Sequence, residues 1–139
     1  MCFDVVANTL DIDKLLTKNT TNKPLLIFFH MDYCLYCLKM KNITLKNHKI
    51  TTKIKKSFIF VYLNVDHVKK VKYKNTIVSN KSFLKKFDIN LYPTVIFVSP
   101  EDDLLYTARG FRNSEKFLKI LKFIETKSYE DLDFYAFDD

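Results

Sequence analysis

Only three of the 139 residues are cysteine, too few for the disulfide framework that staples many small secreted domains. Arginine is scarcer still: Arg109 and Arg112 stand against 21 lysines. Bidentate and stacked contacts to nucleic acid favour Arg over Lys, so no nucleic-acid partner is expected despite the basic composition. No apolar run approaches the ~20 residues that a membrane-crossing helix needs. The longest, PLLIFF at 24–29, fits a buried strand, and no membrane span is expected. The opening MCFDVVANTLD has neither the basic start nor the longer apolar stretch of a secretory signal, although a mature exported chain would have lost one. There is no internal repeat and no linker, and the length suits one domain over 1–139.

What is present is ample material for a core: 47% apolar residues, including 21 Phe and Tyr. Charge is unevenly spread. The net charge is +7, but the last ten residues, EDLDFYAFDD, hold five acids and no base, so residues 1–129 carry 23 bases against 11 acids, a net +12. An acidic tail is therefore expected over about 128–139. Lysines concentrate in KNHKITTKIKK (46–56) and KKVKYKNTIVSNKSFLKK (69–86). A basic body of this kind offers a docking face for anionic partners.

Periodicity gives alternating elements. An N-terminal helix is expected over about 8–20, with Leu10, Ile12, Leu15 and Leu16 on its apolar side, Asn8 or Thr9 as N-cap, and Pro24 ending it. LLIFFH (25–30) is a strand buried on both faces. A helix follows from near Cys34, with Leu38, Met40 and Ile43 turned inward, and a further turn or two carries Ile50 and Ile54. SFIFVYLNVD (57–66) is a second strand. HVKKVKYKNTIVSN (67–80) reads as a loop or small hairpin, and KSFLKKF (81–87) as a short helix with Phe83, Leu84 and Phe87 inside. PTVIFVSPEDDLLYTARGF (93–111) is two strands joined by the turn SPEDD, with Gly110, the only glycine, after the second. A last helix places Phe117, Leu118, Leu121 and Ile124 behind an Asn113 or Ser114 cap. The fold class is α/β: a mixed central sheet of four to five strands, part parallel through a right-handed crossover and part antiparallel through a short turn, flanked by helices on both faces.

The chemistry sits in FFHMDYCLYCLKM (28–40), where Cys34 and Cys37 fall at the passage from a buried strand to a helix. Three readings compete. A zinc site needs four ligands, and the remaining candidates are Cys2, His30, His48 and His67, with no second Cys-X-X-Cys and no close His pair, so no metal is expected. Two small core cysteines are the second reading. The third is a redox pair: unpaired N–H groups and the helix dipole stabilise a thiolate in the first turn, which typically brings a Cys-X-X-Cys thiol to pKa ~3.5–7.5. Cys34 would then attack and Cys37 resolve the mixed disulfide. Far along the chain, LYPTVIF puts Pro93 immediately before a strand, where proline costs a ladder hydrogen bond. The topology brings this loop to the same end of the sheet as the cysteines.

Taken together, LLIFF, CLYC, the second strand ending NVD, YPT, the antiparallel pair, and RGF followed by a helix with FLKIL resemble the thioredoxin superfamily over about residues 9–127. The broken first helix in ITLKNHKITTKIKKSFIFVYLNVD and the extra segment before KSFLKKFDINLYPT are similar to the secreted, SoxW-like thioredoxins. The Tyr between the cysteines is similar to the periplasmic isomerase type of site. The resemblance implies a thiol–disulfide oxidoreductase that uses no cofactor, with Cys34 as nucleophile, Cys37 as resolving cysteine and Pro93 as a cis-proline shaping the substrate groove. It implies disulfide-containing proteins or small thiols as substrates, a redox partner that recycles the dithiol, and a monomer. It places the protein in the periplasm or outside the cell, the cytoplasm being the other possibility.

The chain departs from the thioredoxin pattern at three points. The turn is CLYC rather than CGPC, Tyr33 stands where a Trp is usual, and Phe28 replaces the buried acid six residues before the first cysteine. That leaves His30 and Asp32 as the residues able to tune the thiols: His30 by a positive charge or merely by ending the strand, Asp32 as the nearest carboxyl or as an exposed turn residue. Tyr33, Tyr36 and Tyr92 are the candidates for groove walls beside Pro93. Cys2 is expected in a frayed N-terminus, with a lipidated cysteine as the other reading. From a different class comes a thioredoxin-fold binding module that uses the basic surface with little redox turnover.

Overall fold

The structure, a computed structural model, describes residues 2–3 and 9–137. In chain order it contains β1 (Cys2–Phe3), β2 (Thr9–Asp11), α1 (Ile12–Thr17), β3 (Leu25–His30), α2 (Leu35–Asn42), a 3-10 turn (Thr44–Lys46) and α3 (His48–Ser57). There follow β4 (Ile59–Asn64), β5 (Lys70–Tyr73), β6 (Thr76–Ser79), α4 (Asn80–Lys86), β7 (Thr94–Val98), β8 (Leu104–Arg109) and α5 (Ser114–Glu125). Two 3-10 turns, Ser128–Glu130 and Phe134–Ala136, end the described chain.

The central sheet runs β1-β4-β3-β7-β8, parallel at β1/β4 and β4/β3 and antiparallel at β3/β7 and β7/β8. Alternation along each strand divides the core in two. Leu26 and Phe28 of β3, Phe60 of β4 and Val95 and Phe97 of β7 point toward α2, α3 and α5. Leu25, Ile27 and Phe29, with Val61, Leu63, Ile96 and Val98, point the other way, toward Ile12 of α1 and Phe83 of α4. LLIFFH is a continuous apolar run because β3 lies centrally with a helical layer over each face.

Several expectations are corrected. The N-terminal helix spans Ile12–Thr17 rather than 8–20. Its N-cap is Asp11, whose carboxylate accepts from the Lys14 amide at 2.9 Å; Lys18 closes the helix well before Pro24, and Asn8 lies outside the described residues. Thr9–Asp11 is instead a strand. It pairs parallel with β5, and β5 pairs antiparallel with β6, so the basic segment 67–80 is a hairpin built into a second, three-stranded sheet. The main chain of Cys2 is not frayed but pairs with Phe60 as β1; its side chain lies outside the described residues. In α2 the inward positions are Cys37 and Met40, continuing to Thr44 and Leu45, a single stripe of helical spacing. Leu38 and Ile43 fall off that stripe and are exposed.

Aromatic rings of the acidic tail pack on the body of the fold. Phe134 stacks at 5.2 Å from Tyr106 and 5.4 Å from Phe123, with Lys119 Nζ 5.3 Å above its ring, and Phe137 lies 5.4 Å from Phe123. Among the described residues no helix is long and apolar enough to cross a membrane.

Candidate active site

The register of β3 fixes where the site must be. Phe29 of β3 pairs with Thr94, the first residue of β7, so the segment leaving β3 and the segment entering β7 meet at one end of the sheet. The first carries Cys34 and the second Pro93. Because β4 runs parallel to β3, with His30 opposite Asn64, the segment following β4 arrives at this end as well.

Cys34 is the N-cap of α2, its backbone extended at φ −115° and ψ 106°. Its Sγ takes the place of a capping oxygen, accepting from the Cys37 amide at 3.1 Å, and so holds one of the donors that a helix start leaves unpaired. Cys34 and Cys37 are joined by a disulfide, with Cα atoms 5.2 Å apart. Cys37 is 2% exposed, whereas Cys34 is half-buried and reachable from solvent. The sulfur an incoming group can reach is that of Cys34.

On its other side, Cys34 Sγ lies 3.8 Å from the carbonyl oxygen of Tyr92. The Tyr92–Pro93 peptide bond is cis. Pro93 is buried, and its carbonyl accepts from Gly110 N at 2.8 Å while Thr94 Oγ1 donates to the Leu91 carbonyl at 2.8 Å, so the loop is held by the segment after β8 and by the Thr94 side chain. The positive φ of Gly110, 90°, is the conformation that glycine adopts without strain. The partly buried Tyr92 packs against the second core, and its carbonyl lies against the Cys34 sulfur. Burial raises the Tyr92 phenol above its usual pKa, with a contribution from the Asp66 carboxylate.

Tyr33 is fully exposed in a left-handed conformation at φ 54°, and Tyr36 leans on Phe111 at 5.9 Å between ring centres. Leu35, within CLYC, and Leu91, just before YPT, are exposed as well. Leu35 and Leu91 were missed by pattern reading; their signal was adjacency to CLYC and YPT in sequence.

His30 and Asp32 take different places. His30 is half-buried, stacked on Phe28 at 5.3 Å and edge-on to Tyr62 at 5.7 Å. Burial, then the Lys41 charge, lowers its pKa to about 4, so at neutral pH it is uncharged and offers no positive charge to a thiolate. Its carbonyl accepts from Val65 N at 2.8 Å, closing the strand end. Asp32 belongs to a clamp between the two loops. Its amide donates to Asp66 Oδ2 at 2.7 Å, and its carboxylate accepts from Asn64 Nδ2 at 3.0 Å and pairs with His67 Nε2 at 3.0 Å. The Asn64 hydrogen bond, with His67, holds the Asp32 carboxyl below its usual pKa. Asn64 and Asp66 were not anticipated, and His67 was considered only as a zinc ligand; the parallel pairing that brings NVDH alongside HMDY was the information needed. Among the described residues no group of three or more His, Cys, Asp or Glu side chains forms a metal site.

A family model for a thioredoxin-like domain matches residues 13–125. The chain belongs to the thioredoxin-like domain family. Its fold is the thioredoxin fold, shared with a thioredoxin-fold protein from Helicobacter pylori at 24% identity and a TM-score of 0.70, covering 91% of this chain and 78% of that one. A disulphide isomerase from Xylella fastidiosa matches at 21% identity and TM-score 0.61, covering 81% and 87%. The C-terminal domain of DsbD from Neisseria meningitidis, in its oxidised form, matches at 19% and 0.57, covering 82% and 87%. No curated protein matches the sequence. Within the thioredoxin-like frame, Phe28 and Tyr62 face each other edge to face, 5.7 Å apart, beneath the site.

Proposed function

We propose that the protein is a thiol–disulfide oxidoreductase in which Cys34 is the nucleophile and Cys37 the resolving cysteine. The observation that carries this reading is the asymmetry of the pair: one sulfur open at a helix N-terminus, the other buried one turn on, and a loop carbonyl against the open sulfur. The Cys34 thiolate attacks one sulfur of a substrate disulfide, forming a mixed disulfide and releasing the other substrate sulfur as a thiolate. The Cys37 thiolate then attacks the Cys34 sulfur, which frees the second substrate thiol and closes the Cys34–Cys37 disulfide. Two electrons pass from dithiol to substrate, and the reverse sequence oxidises a substrate dithiol. In this reading Pro93 holds the Tyr92 carbonyl beside the reacting sulfur, and Tyr33, Tyr36 and the flanking leucines are the surface that meets the substrate.

The broken helix formed by α2, the 3-10 turn and α3, and the hairpin inserted before α4, support a place among the secreted, SoxW-like thioredoxins, acting in the periplasm or outside the cell on disulfide-containing proteins or small thiols. Likeness to the Xylella disulphide isomerase and the Neisseria DsbD domain supports the disulfide chemistry. Insulin reduction driven by dithiothreitol tests the activity. The wild type is expected to accelerate precipitation of the insulin B chain and Cys34→Ser to fall to the uncatalysed rate. Equal rates for the two proteins would refute the assignment.

A further inference from the structure

The lysine-rich stretch at 46–56 has no part in the disulfide chemistry, and the fold gives it a shape. Lys49, Lys53 and Lys56 follow one another at i, i+4 and i+7 on α3, and Leu118, Lys122 and Glu125 repeat that spacing on α5. The two stripes line a groove of about 660 Å³. No residue of 30–37 or 91–94 lines it, so an occupant would leave the disulfide free. Among the described lining residues basic side chains outnumber the one carboxylate, and Lys49 and Lys56 are exposed. Glu125 accepts from Lys53 Nζ at 2.7 Å and Ser57 Oγ at 2.6 Å, contacts that outweigh partial burial and hold its pKa below the usual range. Leu118 and the aliphatic lysine stems add apolar surface beside His48, Thr52 and Ser57.

We infer that this groove docks an acidic amphipathic helix of a partner protein. The groove follows α3, ten residues or ~15 Å, the length of about three turns of a guest helix. Leu118 and the lysine stems suit its apolar side, and the lysine heads suit carboxylates at its margins. Other occupants fit less well. A second copy brings a net +7, and the acidic tail is turned to its own Tyr106 and Phe123. Nucleic acid would find no arginine and no Phe, Tyr or Trp ring among the lining residues, only the imidazole of His48. A lipid surface calls for lysines on a plane, whereas these line a concavity.

The test is fluorescence anisotropy with the full chain and a labelled peptide of about 14 residues, Leu on one helical side and Glu on the other, at about 150 mM salt. Lys49→Glu with Lys56→Glu, both exposed positions, is expected to weaken binding by about tenfold or more, while the charge-matched Lys81→Glu with Lys85→Glu on α4 changes it less than about twofold. Poly-Glu of equal charge is expected to bind at least about fivefold more weakly, because it lacks the apolar side. Insulin reduction by the Lys49/Lys56 variant is expected to match the wild type, which separates docking from the redox chemistry. The inference is overturned if the wild type does not bind the peptide or if both double variants lose affinity equally. It also fails if poly-Glu binds as well, or if a single-stranded oligonucleotide or phosphatidylserine vesicles bind more tightly with the same sensitivity to Lys49 and Lys56.

Discussion

Cys34 and Cys37 are three residues apart and chemically identical, yet the fold makes them unequal. The helix N-terminus acts on groups in its first turn, and Cys34, as N-cap, is the one that solvent reaches. Iodoacetamide added to the reduced protein at mildly acidic pH is expected to alkylate Cys34 well before Cys37, followed by peptide mass mapping; preferential labelling of Cys37 would reverse the assigned roles. His30 gives a second test at this scale. Its pKa falls from 6.5 to about 4 on folding, so between those values the unfolded chain binds more protons than the folded one. Stability is therefore full above pH 6.5, declines as pH falls toward 4, and loses nothing further from this group below that. Because the ring is half in water, the contribution is roughly 1–2 kcal/mol. His30→Phe, which keeps the stack on Phe28, is expected to flatten the dependence of urea midpoints on pH across that interval. An unchanged slope would show that His30 is not the titrating group.

At the scale of elements, the broken helix is held where its two parts meet. Thr44 is fully buried, and its Oγ1 donates to the Arg112 carbonyl at 2.8 Å, tying the 3-10 turn to the segment between β8 and α5. Thr44→Val keeps the shape but leaves that carbonyl without its donor, and is expected to cost ~1–3 kcal/mol in urea unfolding, with alkylation of Cys34 little changed. How legible each element was depended on where its partners lie. LLIFFH declared itself because both its faces are buried. Thr9–Asp11 did not: Leu10 pairs with Val71, across some sixty residues, and locally the same leucine fits a helical stripe equally well. Met40 was placed inward correctly, whereas Leu38 and Ile43 were misplaced because α2 is short and the stripe through Cys37 and Met40 turns them to solvent.

For the whole molecule, the site is assembled from three loops brought to one end of the sheet by the order β4-β3-β7. The cysteines and Pro93 could be named from short motifs, since each motif carries its own chemistry. The Asp32 clamp could not, because it exists only once β3 and β4 lie parallel. The acidic tail was legible from its charge, but the packing of its aromatic rings against α5 and β8 was not. Phe134→Ala removes contacts with Tyr106, Phe123 and Lys119, and since Phe134 is only partly buried the expected loss is ~1–2 kcal/mol, read as a lower Tm by calorimetry. An unchanged Tm would mean that the tail contributes nothing to the folded state.

The central claim is that the Cys34–Cys37 pair cycles between dithiol and disulfide, and the most direct measurement is a redox titration of the intact protein. The protein is equilibrated in dithiothreitol or glutathione buffers, quenched with a thiol-alkylating reagent and read by mass. The account predicts one reversible two-electron transition with a potential between about −270 mV, as in a thioredoxin-type reductant, and about −120 mV, as in a strong oxidant. A potential below about −300 mV, the range of structural disulfides, would contradict it.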